Sequence, residues 1–145
     1  MNVPSPGRMH KCPICAHVSP VLIDKATDYA YCPVCLFPIR KDSSVPLGDA
    51  TFPKFLGLCK KRMIAVFWAP WAPGARDFIP LFDITARAFQ DKTIFVSIDI
   101  SDNPEMNRFY GIEILPTVLV FEYGREINRL LGAVSAFDLE RLASV

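Results

Sequence analysis

The amino-acid sequence predicts an α/β fold, a mixed sheet flanked by helices, preceded by a small unit built on paired cysteines. Three observations carry this prediction. Met63 to Trp68 is continuously apolar, as expected of a strand buried on both faces. Ala75 to Gln90 places Phe78, Ile79, Phe82, Ala86 and Phe89 at three- and four-residue steps, the period of an amphipathic helix interrupted once at Pro80. Four of the five cysteines lie upstream of both segments, in two tight pairs.

Residues 1–7 are rich in Pro, Gly and Ser, show no periodicity and are expected to be disordered. Next comes Cys12-Pro13-Ile14-Cys15, sixteen intervening residues, and Cys32-Pro33-Val34-Cys35, the spacing of a zinc ribbon. Each pair makes a tight turn that aims two sulfurs at one point, and two such turns close a tetrahedron around a single Zn²⁺. Four thiolates leave no position open for water, so the expected metal is structural. A unit of roughly thirty-five residues, placed at 8–42, buries too little apolar surface to fold without it. Val18 to Asp24 and Tyr29 to Tyr31 read as its short strands. The alternatives are a redox dithiol at Cys12 and Cys15 or two disulfides; a second pair at matching spacing favours metal. His10 and His17 flank the first pair and offer substitute ligands, although four cysteines already fill the shell.

Residues 43–49 follow a polar stretch, are punctuated by Pro46 and Gly48, and read as a linker between two separate cores. The second domain is placed at 50–145. Ala50 to Lys61 carries Phe52, Phe55, Leu56 and Cys59 near helical spacing, opened by Asp49 or Thr51 and closed by Lys60-Lys61-Arg62. Cys59 reads as a small core hydrophobe rather than a regulatory thiol. Beyond the long helix, Thr93 to Ile100 is a second apolar strand, and Pro104 to Tyr110 is a short helix opened by Asp102 or Asn103. Thr117 to Tyr123 and Glu126 to Leu131 read as a hairpin, followed by a helix over 135–143 with Phe137, Leu139 and Leu142 inward.

Composition narrows the function classes. At 145 residues and 51% hydrophobic content the chain can bury a core. Sixteen basic against 15 acidic residues, with no long block of one sign, argue against a nucleic-acid arm or a polybasic membrane anchor. The first residues lack the charged and apolar regions of a secretory signal, and no apolar run is long enough to span a bilayer. A cytoplasmic location and no membrane partner are therefore expected.

Phe67-Trp68-Ala69-Pro70-Trp71, a four-residue turn, Arg76 and Pro80 resemble the active-site strand, turn and helix of thioredoxins. The resemblance continues through Asp102-Asn103-Pro104, Tyr110-Gly111-Ile112, Leu115-Pro116-Thr117, Phe121 to Gly124 and Leu131-Gly132-Ala133, and so covers about residues 50–145. With the cysteine pairs it is similar to the zinc-ribbon-bearing thioredoxins of bacteria. The four turn positions of that family are Cys-Gly-Pro-Cys, whereas this chain has Ala72-Pro73-Gly74-Ala75. By the same resemblance, the family's buried Asp falls on Val66 and its partner Lys on Ser97.

Without a thiolate at the turn there is no exchange chemistry there. The reading that follows is a redox-inactive protein, not an enzyme, that binds proteins or peptides non-covalently as a chaperone, adaptor or subunit. The resemblance implies a cis-proline loop at Pro116, and a partner surface formed by Trp71, Pro73, Gly74, Leu115, Pro116 and Gly132 with Ile114 and Ala133. Two alternatives stand beside it: a thiol-disulfide oxidoreductase that uses the ribbon cysteines or Cys59, and a ribbon that binds nucleic acid. The modest basic content of residues 8–42 disfavours the last.

Overall fold

A computed structural model describes residues 9–24, 26, 29–39, 43–89 and 92–144; the tail at 1–7 and residues 40–42, which end the expected ribbon, lie outside these. The N-terminal unit contains β1 (His10–Lys11), β2 (Val18–Ser19), β3 (Leu22–Asp24), β4 (Tyr29–Tyr31) and β5 (Pro38–Ile39). There follow β6 (Val45–Leu47), α1 (Phe52–Leu58), β7 (Arg62–Trp68), α2 (Ala75–Phe89), β8 (Thr93–Asp99) and α3 (Pro104–Tyr110). The chain closes with β9 (Thr117–Glu122), β10 (Arg125–Leu131) and α4 (Ala136–Ser144).

Alternation along the central strands decides the architecture. The main sheet has the order β10-β9-β7-β8-β6, with β6, β7 and β8 parallel to one another, β9 antiparallel to β7, and β10 antiparallel to β9. In β7, Met63, Ala65 and Phe67 join the core on one face, while Ile64 and Val66 join the core on the other. The first face is covered by α1 and α3. Its centre is Phe52, whose ring meets Phe67, Tyr110 and Phe121 edge-on at 5.6 to 6.1 Å between centroids. The second face is covered by α2 and α4 through Phe78, Phe82, Ala86, Leu139 and Ala143. Both faces being buried explains why β7 reads as an unbroken apolar run.

Several local expectations are corrected by the structure. The segment read as a linker carries β6, whose Val45, Pro46 and Leu47 pair in register with Val96, Ser97 and Ile98. Nor does the N-terminal unit stand apart: besides its own small cluster of Val21, Ala30 and Ile39, its Cys12, Ile14, Cys32, Cys35 and Phe37 belong to the same buried cluster as Phe52 and Met63, and Phe37 packs edge-on against Phe55 at 5.0 Å. Lys60-Lys61-Arg62 does not close α1. Arg62 starts β7, pairs with Glu122 on β9 and donates to the Leu142 carbonyl at 2.8 Å, tying α4 to the sheet. Phe137, expected inward, is 66% exposed with the Arg141 guanidinium over its ring. Leu139 and Ala143, four apart, take the inward stripe, and Phe137 lies two residues away from it on the opposite side.

The caps also differ from expectation. Asp49 caps α3 rather than α1, its carboxylate accepting from the Met106 and Glu105 N–H groups at 2.8 and 3.2 Å. Asn103 accepts from the Asp49 N–H at 2.9 Å instead of capping its own helix. A Cβ at Gly48 would meet the Asn103 carboxamide oxygen at 2.3 Å, so any larger residue there would displace the Asn103 side chain.

Candidate functional site

The four paired cysteines form the first candidate site. The two turns are built alike: Ile14 N–H donates to Cys12 Sγ and Val34 N–H to Cys32 Sγ, each at 3.4 Å. Each turn closes with a 2.9 Å backbone bond, Ala16 N to Cys12 O and Leu36 N to Cys32 O, and leaves Ala16 and Leu36 at φ 65° and 67°. Cys12 and Cys35 sulfurs lie 3.6 Å apart, as do Cys15 and Cys32, and all four fall within 4.8 Å of one another. This is a donor set able to hold a metal ion, and its ligands are the cysteines alone. His10 and His17 stand outside it.

Electrostatics favours thiolate at one end of the set. Burial pushes the Cys32 thiol up, but the backbone N–H groups of Cys35 and Val34 and the thiols of Cys15 and Cys12 outweigh it and bring it down to about 7. Burial holds Cys12 and Cys35 above the ordinary thiol range. All five cysteines are thiols, with no disulfide among the described residues.

The two otherwise matching turns face different surroundings. Ile14 is 2% exposed and sits in the main core, whereas Val34, its counterpart, is 60% exposed. One turn docks the unit onto the sheet and the other faces solvent.

The second candidate site is the turn between β7 and α2. Ala69, Ala72 and Ala75 are buried and pack together with Trp68, Ile100 and Leu115. Ala72 N–H donates to Ala69 O at 3.1 Å and Ala75 N–H to Ala72 O at 3.2 Å, so the turn is wound tightly before α2 begins. Trp71 projects from it, 69% exposed, and Pro73 and Gly74 are exposed beside it. Gly74 has φ 79°, a left-handed conformation that glycine adopts without a steric penalty.

Leu115-Pro116, a cis peptide bond, lies across from the turn, with Leu115 packed on the alanines. Pro116 is buried, and its carbonyl accepts from Gly132 N–H at 2.8 Å. Of the expected partner surface, Trp71, Pro73, Gly74 and Ile114 are exposed, Leu115 and Gly132 are half-buried, and Pro116 contributes little side-chain surface. Beneath the turn, Val66 and Ser97 are direct partners in the β7–β8 register.

Cys59 is buried at the end of α1 and donates from its thiol to the Lys61 carbonyl at 3.3 Å. Burial pushes that thiol up from its ordinary value, so it stays protonated near neutral pH. Iodoacetamide at pH 7.5 should therefore leave Cys59 unmodified in the folded protein and label it on denaturation, as read by mass spectrometry of its peptide. Rapid labelling of the folded protein would refute the buried-thiol assignment.

A family model described as Thioredoxin matches residues 43–144. The chain belongs to the thioredoxin family. Among relatives, a thioredoxin of Porphyra purpurea is 35% identical over 92 residues, 63% of this chain and 86% of that protein. Thioredoxin 1 of Synechococcus elongatus is 31% identical over 86 residues, 59% and 80% respectively. A thioredoxin of Alicyclobacillus acidocaldarius is 31% identical over 104 residues, 71% of this chain and 98% of that one.

These relatives correct one expectation. The reading that the chain is not an enzyme rests on Ala72 and Ala75 in place of the turn cysteines, with Val66 and Ser97 in support, whereas the relatives are named thioredoxins, the name of thiol-disulfide oxidoreductases. Nothing in the structure shows the chain inactive. Among the described residues, no helix is long and apolar enough to cross a membrane.

Proposed function

We propose that this thioredoxin-family protein binds extended protein segments along the surface between Trp71 and the Leu115–Pro116 loop, with its N-terminal unit fixed by one structural zinc ion. The single observation that carries the binding reading is Trp71, a large aromatic exposed on a turn whose neighbours Ala69, Ala72 and Ala75 are packed solid. A rigid mount loses little entropy when a partner is bound, and exposed apolar surface of this kind commonly marks interaction sites. Binding there needs no sulfur. Zinc is supported by the donor set: Zn–S bonds of about 2.3 Å place tetrahedral sulfurs about 3.8 Å apart, and two of the sulfur pairs here are 3.6 Å apart. A cytoplasmic setting, which keeps such thiols reduced, suits this reading.

The test is titration of the zinc-loaded protein with an unfolded, carboxymethylated model protein, followed by calorimetry. Trp71→Ala should weaken binding by more than about 1 kcal/mol, at least fivefold, as truncation of a central aromatic anchor does. Unchanged affinity would refute the groove.

Kinship supports a second reading, thiol-disulfide exchange through the cysteines outside the turn, since the relatives are named thioredoxins. Cys15 is the half-exposed member of the ribbon set. Insulin reduction by the wild type that is lost on Cys15→Ser would establish this route; turnover unaffected by any cysteine substitution would refute it.

A further inference from the structure

We infer that the segments held at the Trp71 surface are cationic as well as apolar, which rests on the binding proposed there and names its partner class. Charge around the turn is one-sided. Ile100 and Leu115 pack on Ala69, Ala72 and Ala75, and Ile100 N–H donates to Trp68 O at 2.9 Å, so the loops that carry them border the turn. Those loops, residues 99–103 and 112–116, hold Asp99, Asp102 and Glu113 and no Lys or Arg. The turn itself, residues 69–75, is uncharged, as is the stretch 132–135 beside Pro116. Arg76 at the start of α2 is exposed but is followed at once by exposed Asp77, so that end adds no net charge. With a net charge of +1 for the whole chain, the acidity belongs to this surface and not to the protein at large.

Two of the three acids are available to a partner. Asp99 is spent on its own loop, its carboxylate accepting from the Ser101 N–H at 3.0 Å and the Ser101 hydroxyl at 2.5 Å. Asp102 and Glu113 are exposed, and their carboxylates make no hydrogen bond or ion pair among the described residues. Each lies two residues from Ile100 or Leu115, at most about 7 Å along the chain, which is within the screening length of about 8 Å at physiological salt. Their attraction therefore reaches a segment lying over those residues without a fixed contact. The Trp71 indole adds a second preference, since Trp is the best aromatic face for a cation. Phe55 and Phe137 carry Lys54 and Arg141 over their rings, whereas no cation among the described residues stands over Trp71. Trp71 and Ile114, 69% and 47% exposed, supply the apolar part. The occupant that satisfies both is an extended protein segment with Lys or Arg on either side of apolar side chains.

The experiment is calorimetric titration of the full-length, zinc-loaded protein with three unstructured peptides that share a Val-Phe-Val centre and carry Lys, Gln or Glu on both flanks. At low salt the Lys peptide should bind about fivefold more tightly than the Gln peptide, the scale of two exposed ion pairs, and the Glu peptide should bind most weakly. The gap should close as NaCl approaches about 1 M. Asp102→Asn combined with Glu113→Gln should bring the Lys and Gln affinities together; both positions are exposed, so the double variant retains its core. Trp71→Ala should weaken all three peptides. Equal binding of the Lys and Gln peptides, or a Lys preference that survives in the double variant, would overturn the cationic preference and leave the groove standing provided Trp71→Ala still weakens binding. Peptide binding indifferent to Trp71→Ala would overturn the groove itself, and the cationic preference with it.

Discussion

Cys32→Ser is expected to abolish binding of the proposed zinc ion and to cost more than about 3 kcal/mol of stability in the main domain as well as in the ribbon. Cys32 is buried, with its sulfur 3.6 Å from that of Cys15, and a hydroxyl there cannot replace the thiolate. If the ribbon were tethered by a passive linker, the damage would stop at about residue 42. It is instead part of the sheet's own core, where Ile14 and Phe37 join Phe52, Phe55 and Met63 in one cluster. Releasing the ribbon exposes that face to water. The measurements are elemental zinc and urea unfolding followed by fluorescence of Trp68 and Trp71, both of which lie in the main domain. A main-domain midpoint equal to wild type would refute the shared core.

Val66→Asp is expected to lower stability by more than about 3 kcal/mol at pH 7.5, because a carboxylate at that site must shed its water without a partner. Val66 is 0% exposed and belongs to the core under α2 and α4. The effect has a sign in pH. Desolvation raises the folded-state pKa of such an acid above its unfolded value of about 3.9. The penalty should therefore be smallest below about pH 4 and grow as the pH rises through the folded pKa. Since Val66 and Ser97 face each other in register, adding Ser97→Lys should return about 1 kcal/mol or more through a coupled pair. Urea midpoints of the two single variants and the double variant close the cycle; strictly additive losses would show that the two side chains do not meet.

What was legible in the sequence was local. The apolar run of β7, the helical period of α2 and the Cys-x₂-Cys turns each encode their structure within a few residues, and the structure carries all three. The positions of Ala72 and Ala75 in the turn were equally plain, since Trp68 and Pro80 bracket them. What escaped depends on contacts between distant segments. β6 is three residues long, contains a proline and exists only because β8 lies alongside it. Asp49 could not be seen as a cap for a helix more than fifty residues away. The unequal fates of Ile14 and Val34, in near-identical motifs, follow from which turn meets the sheet, and no local signal distinguishes them. Function is least legible, because residues missing from one turn do not speak for the whole chain.

The two borders of the main sheet bear on how the protein behaves when crowded. On one border, β6 is short and its central Pro46 is exposed and has no N–H to offer an incoming strand. On the other, the β10 register slips between Glu126 and Asn128, and Arg125, Glu126 and Arg129 place charge along the outer strand. Neither border is a flat template on which another chain could extend the sheet. The fold thus leaves Trp71 and its apolar neighbours open to solvent while the borders of the main sheet resist growth by strand addition.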